Sequence, residues 1–294
     1  KSKVSERANF ERAPQVAREQ RVVVEMKRTG QRSAEGQERG GDQEERLAGQ
    51  DNMSVPKTNA IARTMPASVT PPRLVPKPKT AAERKARVQK ILALLDEMYP
   101  EATCALTHHN AWELLVATIL SAQCTDKRVN EVTPGLFAKY PTMTDLAHAN
   151  QAELAQDIRS TGFFNNKSRS LIGAAQRVLS EFGGQVPRTM DELLTVPGAA
   201  RKTANVVLGT AYGVASGVVV DTHVQRVSRR LDLTKQAEPV KIEQDLIKTL
   251  PEDKWILFSH QIIHHGRALC VARKPKCAEC RLDPICYAKD KTII

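Results

Sequence analysis

Long apolar runs are missing from this chain of 294 residues. No stretch approaches the ~20 apolar residues that a membrane-crossing helix needs. The strongest short burst is Val218–Val220. No secretory leader is recognisable, which argues against a disulfide-stapled secreted domain. Strict apolar–polar alternation is nearly absent, so a sandwich or barrel of strands is not supported. No segment recurs at a fixed period, which sets aside solenoids and propellers. No oligomer signature stands out, and a monomer is expected.

Cysteine is also scarce, but its placement is uneven. Of six cysteines, four fall in the last 25 residues: Cys270, Cys277, Cys280 and Cys286, spaced C-x6-C-x2-C-x5-C. Soft thiolates at such close range suit zinc or an iron–sulfur cluster. Zinc sites usually show two C-x2-C pairs, and here only Cys277 and Cys280 form one. The wide flanking gaps suit a larger cluster, while two disulfides are the plainest alternative. Cys104 and Cys124 stand alone and are expected as reduced thiols in helical packing.

Lys and Arg number 44 against 33 Asp and Glu, a net charge of +11 that favours a polyanionic partner. Residues 1–80 hold 16 of the basic and 10 of the acidic side chains. The rest is therefore only mildly basic. Residues 1–80 read as a disordered tail, poor in apolar periodicity apart from Val22 to Val24 and ending in a proline-rich linker from Pro66 to Lys79. One reading starts synthesis at Met53. A native tail is another, and the many glutamates argue against a transit peptide.

From about Thr80 the pattern turns helical. Ile91, Leu94, Leu95 and Met98 mark one buried helix face. Similar sets are Leu114, Leu115, Thr118 and Ile119; Leu171, Ala174, Ala175, Val178 and Phe182; and Val224, Val227 and Leu231. Asn110 with Glu113, Asn150 with Glu153, and Thr189 with Glu192 have capping-box spacing. The reading is an all-α chain of roughly ten short helices.

Leu194-Thr195-Val196-Pro197-Gly198-Ala199-Ala200-Arg201-Lys202-Thr203-Ala204 joins a helix starting near Thr189 to one running to about Tyr212. Proline and glycine stop the first helix and turn the chain. The second then opens with free N–H groups and a positive dipole end, which suit a phosphate. Alone, such a turn is most often only a connection. Lys202 falls in that helix's first turn, where a cation is disfavoured. Without wider context it reads as an exposed lysine at a phosphate. Asp221, in Val219-Val220-Asp221-Thr222-His223, reads locally as the N-cap of a helix from Thr222 to Leu231.

Several segments resemble the endonuclease III family of DNA glycosylases. His265-Gly266-Arg267-Ala268-Leu269-Cys270, then Ala272-Arg273-Lys274-Pro275 and the three later cysteines, resemble its iron–sulfur loop. Gly198 to Ala204 resembles its helix-hairpin-helix, with Ala200 where the family usually has glycine. Val220-Asp221-Thr222-His223 resembles the motif of its catalytic aspartate. The resemblance covers about residues 82–291.

That resemblance implies a [4Fe-4S] cluster on Cys270, Cys277, Cys280 and Cys286, which folds the loop and presents Arg273, Lys274 and Lys276 to DNA. It makes Lys202 the nucleophile at C1′ of the sugar, followed by a Schiff base and β-elimination. Asp221 is then the group that stabilises positive charge on the sugar. Gly198, Ala200, Arg201 and Thr203 become hairpin contacts to phosphate, and His223 a structural or phosphate-side residue. A flipped base leaves a gap. Gln123, after Ser121-Ala122, matches the residue that fills it. Phe163, in Thr161-Gly162-Phe163-Phe164-Asn165-Asn166-Lys167, matches the wedge, where many relatives are aliphatic. Its bland reading is a core aromatic.

The implied fold has two helical domains with a DNA cleft between them. A six-helix barrel at 104–214 carries the hairpin, and a discontinuous iron–sulfur domain combines 81–103 with 215–294. The implied activity is bifunctional: a DNA glycosylase and abasic-site lyase in base excision repair, acting on oxidised pyrimidines in duplex DNA. An adenine mismatch glycosylase is an alternative, but its relatives lack lysine at the position of Lys202. A mainly lyase enzyme and a metal-stabilised DNA-binding module are the others. Expected locations are the cytoplasm, with the nucleoid, for a bacterial protein, and the nucleus or mitochondrion for a eukaryotic one.

Overall fold

The computed structural model describes residues 76–292. The expectations of a disordered tail, the Val22 to Val24 burst and a start at Met53 lie outside the described residues. Among the described residues there are eleven α-helices, four short 3-10 turns and no strand.

Helix α1, Ala81–Met98, opens on a reciprocal capping box. The Thr80 hydroxyl accepts the Glu83 N–H, and the Glu83 carboxylate accepts the Thr80 N–H. A second reciprocal box, Thr142 with Asp145, opens a later helix. Asn110, Asn150 and Thr189 all cap as their spacing predicts, but without the return bond. Glu113 instead accepts the N–H of His109, and Glu192 accepts the Thr189 hydroxyl. Ile91 and Leu95 of α1 are completely buried, each contributing about 1.5–3 kcal/mol relative to exposure. Leu94 and Met98 are half-buried at the edge of that face.

Seven helices follow: α2 Ala111–Leu120, α3 Asp126–Lys139, α4 Met143–Ala147, α5 Gln151–Asp157, α6 Phe164–Phe182, α7 Met190–Leu194 and α8 Arg201–Tyr212. They enclose one core, with Leu114, Leu120, Leu171, Val178, Leu193 and Leu208 fully buried. The last three are α9 Thr222–Arg230, α10 Pro239–Thr249 and α11 Trp255–Ala268. They form a second core with α1, around Ile91, Leu95, Val224, Ile242, Phe258 and Ile262.

The Val218–Val220 burst is where the chain passes between the cores. Successive side chains of an extended segment point to opposite sides. Val219 joins the first core, while Val218 and Val220 join the second. The Val219 N–H is held by the Ser259 hydroxyl at 3.0 Å. This crossing places Asp221 at the junction of the two packing units.

Candidate active site and cysteine centre

The turn between α7 and α8 depends on Gly198, at φ +82°. A Cβ there would come within 3.0 Å of Ser170 Cβ and 3.3 Å of Ile119 Cδ1. Ala200, in contrast, is extended at φ −74° and ψ 168°, a conformation open to any residue. Alanine in place of the family's usual glycine therefore carries no backbone penalty here. Ala200 is the N-cap of α8 and offers no side-chain acceptor. The first N–H groups of α8 are therefore available to an anion.

Arg201 has a partner that the sequence did not announce. Its Nε and Nη2 donate to the Glu243 carboxylate at 2.6 and 3.2 Å, and Asn205 Nδ2 donates to the same group at 2.8 Å. Glu243 is buried, so α8 is braced against α10 by a charged, hydrogen-bonded pair. Arg201 is tied to that brace through Nε and Nη2, while its side chain stays 41 % exposed. Thr203 is buried behind it. The available signal was a glutamate beside Ile242 on the apolar side of α10.

Lys202 is exposed in the first turn of α8, and Asp221 is half-buried at the start of α9. Both line one open cleft of about 560 Å³, together with Ser121, Asp126, His264 and Arg267. Asp221 Oδ1 accepts the N–H groups of His223 and Val224, both at 2.8 Å. One oxygen thus serves as the cap, and no hydrogen bond among the described residues ends on the other. His260 also lines the cleft, and burial pulls its pKa below the ordinary histidine value.

His223 packs against α11. A Cβ on Gly266 would meet its Cβ at 2.9 Å, so glycine is what permits the approach. Its Nδ1 lies 3.2 Å from Arg226 Nη2. Burial pulls its pKa down, Asp221 opposes this, and Arg226 adds to the lowering. A neutral ring that accepts from Arg226 fits this surrounding better than a phosphate-binding cation.

Gln123 and Phe163 are both exposed and both left-handed, at φ +53° and +48°. Phe163 is 60 % exposed, which rules out the core-aromatic reading. Non-glycine residues in this region are uncommon and concentrate at functional segments.

Cys270, Cys277, Cys280 and Cys286 all line a single cavity, with Arg230, His265 and Leu282. Among the described residues no three His, Cys, Asp or Glu side chains are grouped to hold one metal ion. Two arginines of α9 brace the first cysteine. Arg226 donates to the carbonyls of Gly266 and Cys270, and Arg230 to those of Cys270 and Val271 and to Cys270 Sγ at 3.3 Å. On the far side Cys280 Sγ lies 3.6 Å from His265 Nε2, whose Nδ1 meets the Tyr99 hydroxyl at 3.0 Å. Burial pushes the Cys280 thiol up to about 12 and raises that of Cys286 too. Arg273, Lys274 and Lys276 are exposed on the loop between the first two cysteines. Cys104 and Cys124 are half-buried in loops, not in helices, and pack against the first core.

Residues 116–252 match the HhH-GPD superfamily of base excision DNA repair proteins. Endonuclease III of Synechocystis is 54% identical over 205 residues, covering 70% of this chain and 94% of that protein. The chain belongs to the endonuclease III family. Endonuclease III of Bacillus subtilis is 42% identical over 206 residues, with the same coverage on both sides. Among solved structures, a trapped endonuclease III–DNA covalent intermediate superposes with a TM-score of 0.66 at 42% identity, covering 69% of this chain and 95% of that one. A non-covalent endonuclease III–DNA complex gives 0.66 at 43% identity with the same coverage. As a family member the chain is a base excision repair enzyme, a DNA glycosylase with abasic-site lyase activity. No helix among the described residues is long and apolar enough to cross a membrane.

Proposed function

We propose that Lys202 is the nucleophile and Asp221 the charge-stabilising partner in the removal of oxidised pyrimidines from duplex DNA. The observation that carries this is their convergence on one cleft, from the first turn of α8 and the first residue ahead of α9. A damaged nucleotide reaches such a cleft only by leaving the stack. The Lys202 amine, freed of its proton, attacks C1′. The bond from C1′ to the base breaks, and the base departs with the electron pair and takes up a proton. The sugar ring opens to a Schiff base, which acidifies the hydrogen on C2′. Loss of that proton expels the 3′ phosphate, and water then releases the lysine. Asp221 keeps one oxygen on the cap and turns its negative charge toward the sugar as positive charge develops there.

A [4Fe-4S] cluster is the cofactor that fits Cys270, Cys277, Cys280 and Cys286. The thiols share one cavity, and their C-x6-C-x2-C-x5-C spacing suits a cluster better than the paired C-x2-C pattern of zinc. When bound, the cluster supplies folding energy and rigidity to the loop. That rigidity lets exposed Arg273, Lys274 and Lys276 meet phosphates. Gln123 and Phe163 fill the opened stack, while Gly198, Ala200 and the N–H groups at the start of α8 hold a phosphate. The two cores support a barrel domain at 104–214 and a cluster domain built from 81–103 with 215–294. A monomer on damaged or abasic DNA, at the nucleoid in a bacterial cell, completes the reading.

Borohydride reduction of the enzyme on a duplex with one oxidised pyrimidine tests it. The native chain should become covalently linked to DNA, and Lys202→Gln should not. A trapped adduct in Lys202→Gln would move the nucleophile to another amine.

A further inference from the structure

Lys167 is only 5 % exposed, in the first turn of α6. Its ammonium donates to the carbonyl of Leu120 at 2.8 Å and that of Thr161 at 2.7 Å. It forms no ion pair with a carboxylate among the described residues, and burial pulls its pKa below the ordinary lysine value. A dehydrated ammonium near a helix N-terminus, without a counter-ion, is unfavourable on each of these grounds. Stability alone therefore does not account for a lysine here.

The two acceptors are informative. Leu120 is the last residue of α2, three before Gln123. Thr161 stands two before Phe163. The backbone of Lys167 closes the arrangement, since its N–H donates to the carbonyl of Phe163 at 3.0 Å. One buried side chain thus grips the roots of two loops, each carrying an exposed, left-handed residue, Gln123 and Phe163. Lysine suits the task because its three donors radiate from the end of a long stem.

We propose that Lys167 is a positioning residue whose ammonium fastens the Gln123 loop to the Phe163 loop, so that both side chains enter an opened base stack as one unit. This rests on the reading of Gln123 and Phe163 as the residues that penetrate DNA. A gap in the duplex then has to accept both residues together. Lesion recognition depends on the tie, while grip on undamaged phosphates does not.

The test compares binding of the full chain to a duplex carrying a tetrahydrofuran abasic-site analogue and to the undamaged duplex. In the native chain Gln123→Ala and Phe163→Ala should each lower the preference for the analogue, and together they should lose less than the sum of the two. Lys167→Met keeps the aliphatic stem and loses the donors. It should cut the preference about tenfold, with undamaged binding within about twofold, and should make the two alanine effects additive. Lys167→Arg, which can still reach both carbonyls, should recover much of the preference. An unchanged preference in Lys167→Met, an equal loss on both duplexes, or additive alanine effects in the native chain would each overturn the proposal. If neither alanine variant alters the native preference, the penetrating-loop reading fails first and the proposal falls with it. Should Lys167→Met not fold, hydrogen exchange decides. On the analogue duplex, Phe163→Ala should lift protection at residues 121–125, and unchanged protection there would overturn the coupling.

Discussion

Arg267 Nη2 meets Asp126 Oδ2 at 2.6 Å on the wall of the cleft that holds Lys202 and Asp221. Arg267 belongs to α11 of the second core, and Asp126 is the first residue of α3 in the first. The pair is partly exposed, so its worth to stability is about 1 kcal/mol or less. Its place matters more than its strength, because it joins the two packing units beside the proposed chemistry. Asp126→Ala should barely move the melting temperature but should slow single-turnover base excision. A melting loss large enough to explain the slowed turnover would reduce the pair to a structural bond.

Asp221→Asn separates capping from charge. The amide oxygen can still accept the N–H groups of His223 and Val224, so the fold should hold. Removing the negative charge deletes transition-state stabilisation, for which comparable deletions cost about 3–4 kcal/mol, so base removal should slow by about a hundredfold or more. Cleavage of a preformed abasic site should suffer less, because no base must depart. Equal slowing of both steps, measured on the two substrates side by side, would reassign Asp221 to a later step.

Cys280→Ser should give pale, poorly folded protein. A broad absorption band near about 400 nm, where iron–sulfur charge transfer lies, should be lost together with thermal stability. Full colour and stability in this variant would remove Cys280 from the ligand set.

The Arg201–Glu243 brace makes a prediction about glycine. A Cβ on Gly217 would lie 2.1 Å from Glu243 Oε1, an overlap that has to displace the carboxylate. Glu243→Ala leaves buried Asn205 without its acceptor and half-exposed Arg201 to water, and should cost about 1–3 kcal/mol. Gly217→Ala should be destabilising as well, and the two changes should be far from additive. Additive losses in chemical denaturation would show that Gly217 is needed for some other contact.

Much of this architecture was readable because it rests on short spacings. The cysteine motif, the Pro197-Gly198 turn, the caps at Asn110, Asn150, Thr189 and Asp221, and the buried faces of α1 and α6 are all local patterns. What was not readable joins distant residues. Lys167 and Leu120 are 47 positions apart, Arg201 and Glu243 42, and Arg267 and Asp126 141. No periodicity announces that a lysine will be buried against two carbonyls, or that the arginine opening α8 will turn to a glutamate. Nor does the sequence say which residue of the turn needs the positive φ: Gly198 takes it, and Ala200, two residues on, does not. Phe163 could be judged only once its ring was seen to be 60 % exposed.

The Tyr287 hydroxyl donates to the carbonyl of Pro76 at 3.0 Å, and its ring lies under Lys77 at 5.1 Å and Arg87 at 4.5 Å. An aromatic clasp therefore joins the chain entering α1 to the segment directly after Cys286. In mechanical terms the two form one load path. A pull from the N-terminal side reaches the cysteine loop through Tyr287 before it can unwind α1 from its capped end. A protease cutting ahead of Pro76 leaves the clasp whole, whereas one cutting between Lys77 and Lys79 takes Pro76 and Lys77 out of it and leaves Tyr287 stacked on Arg87 alone.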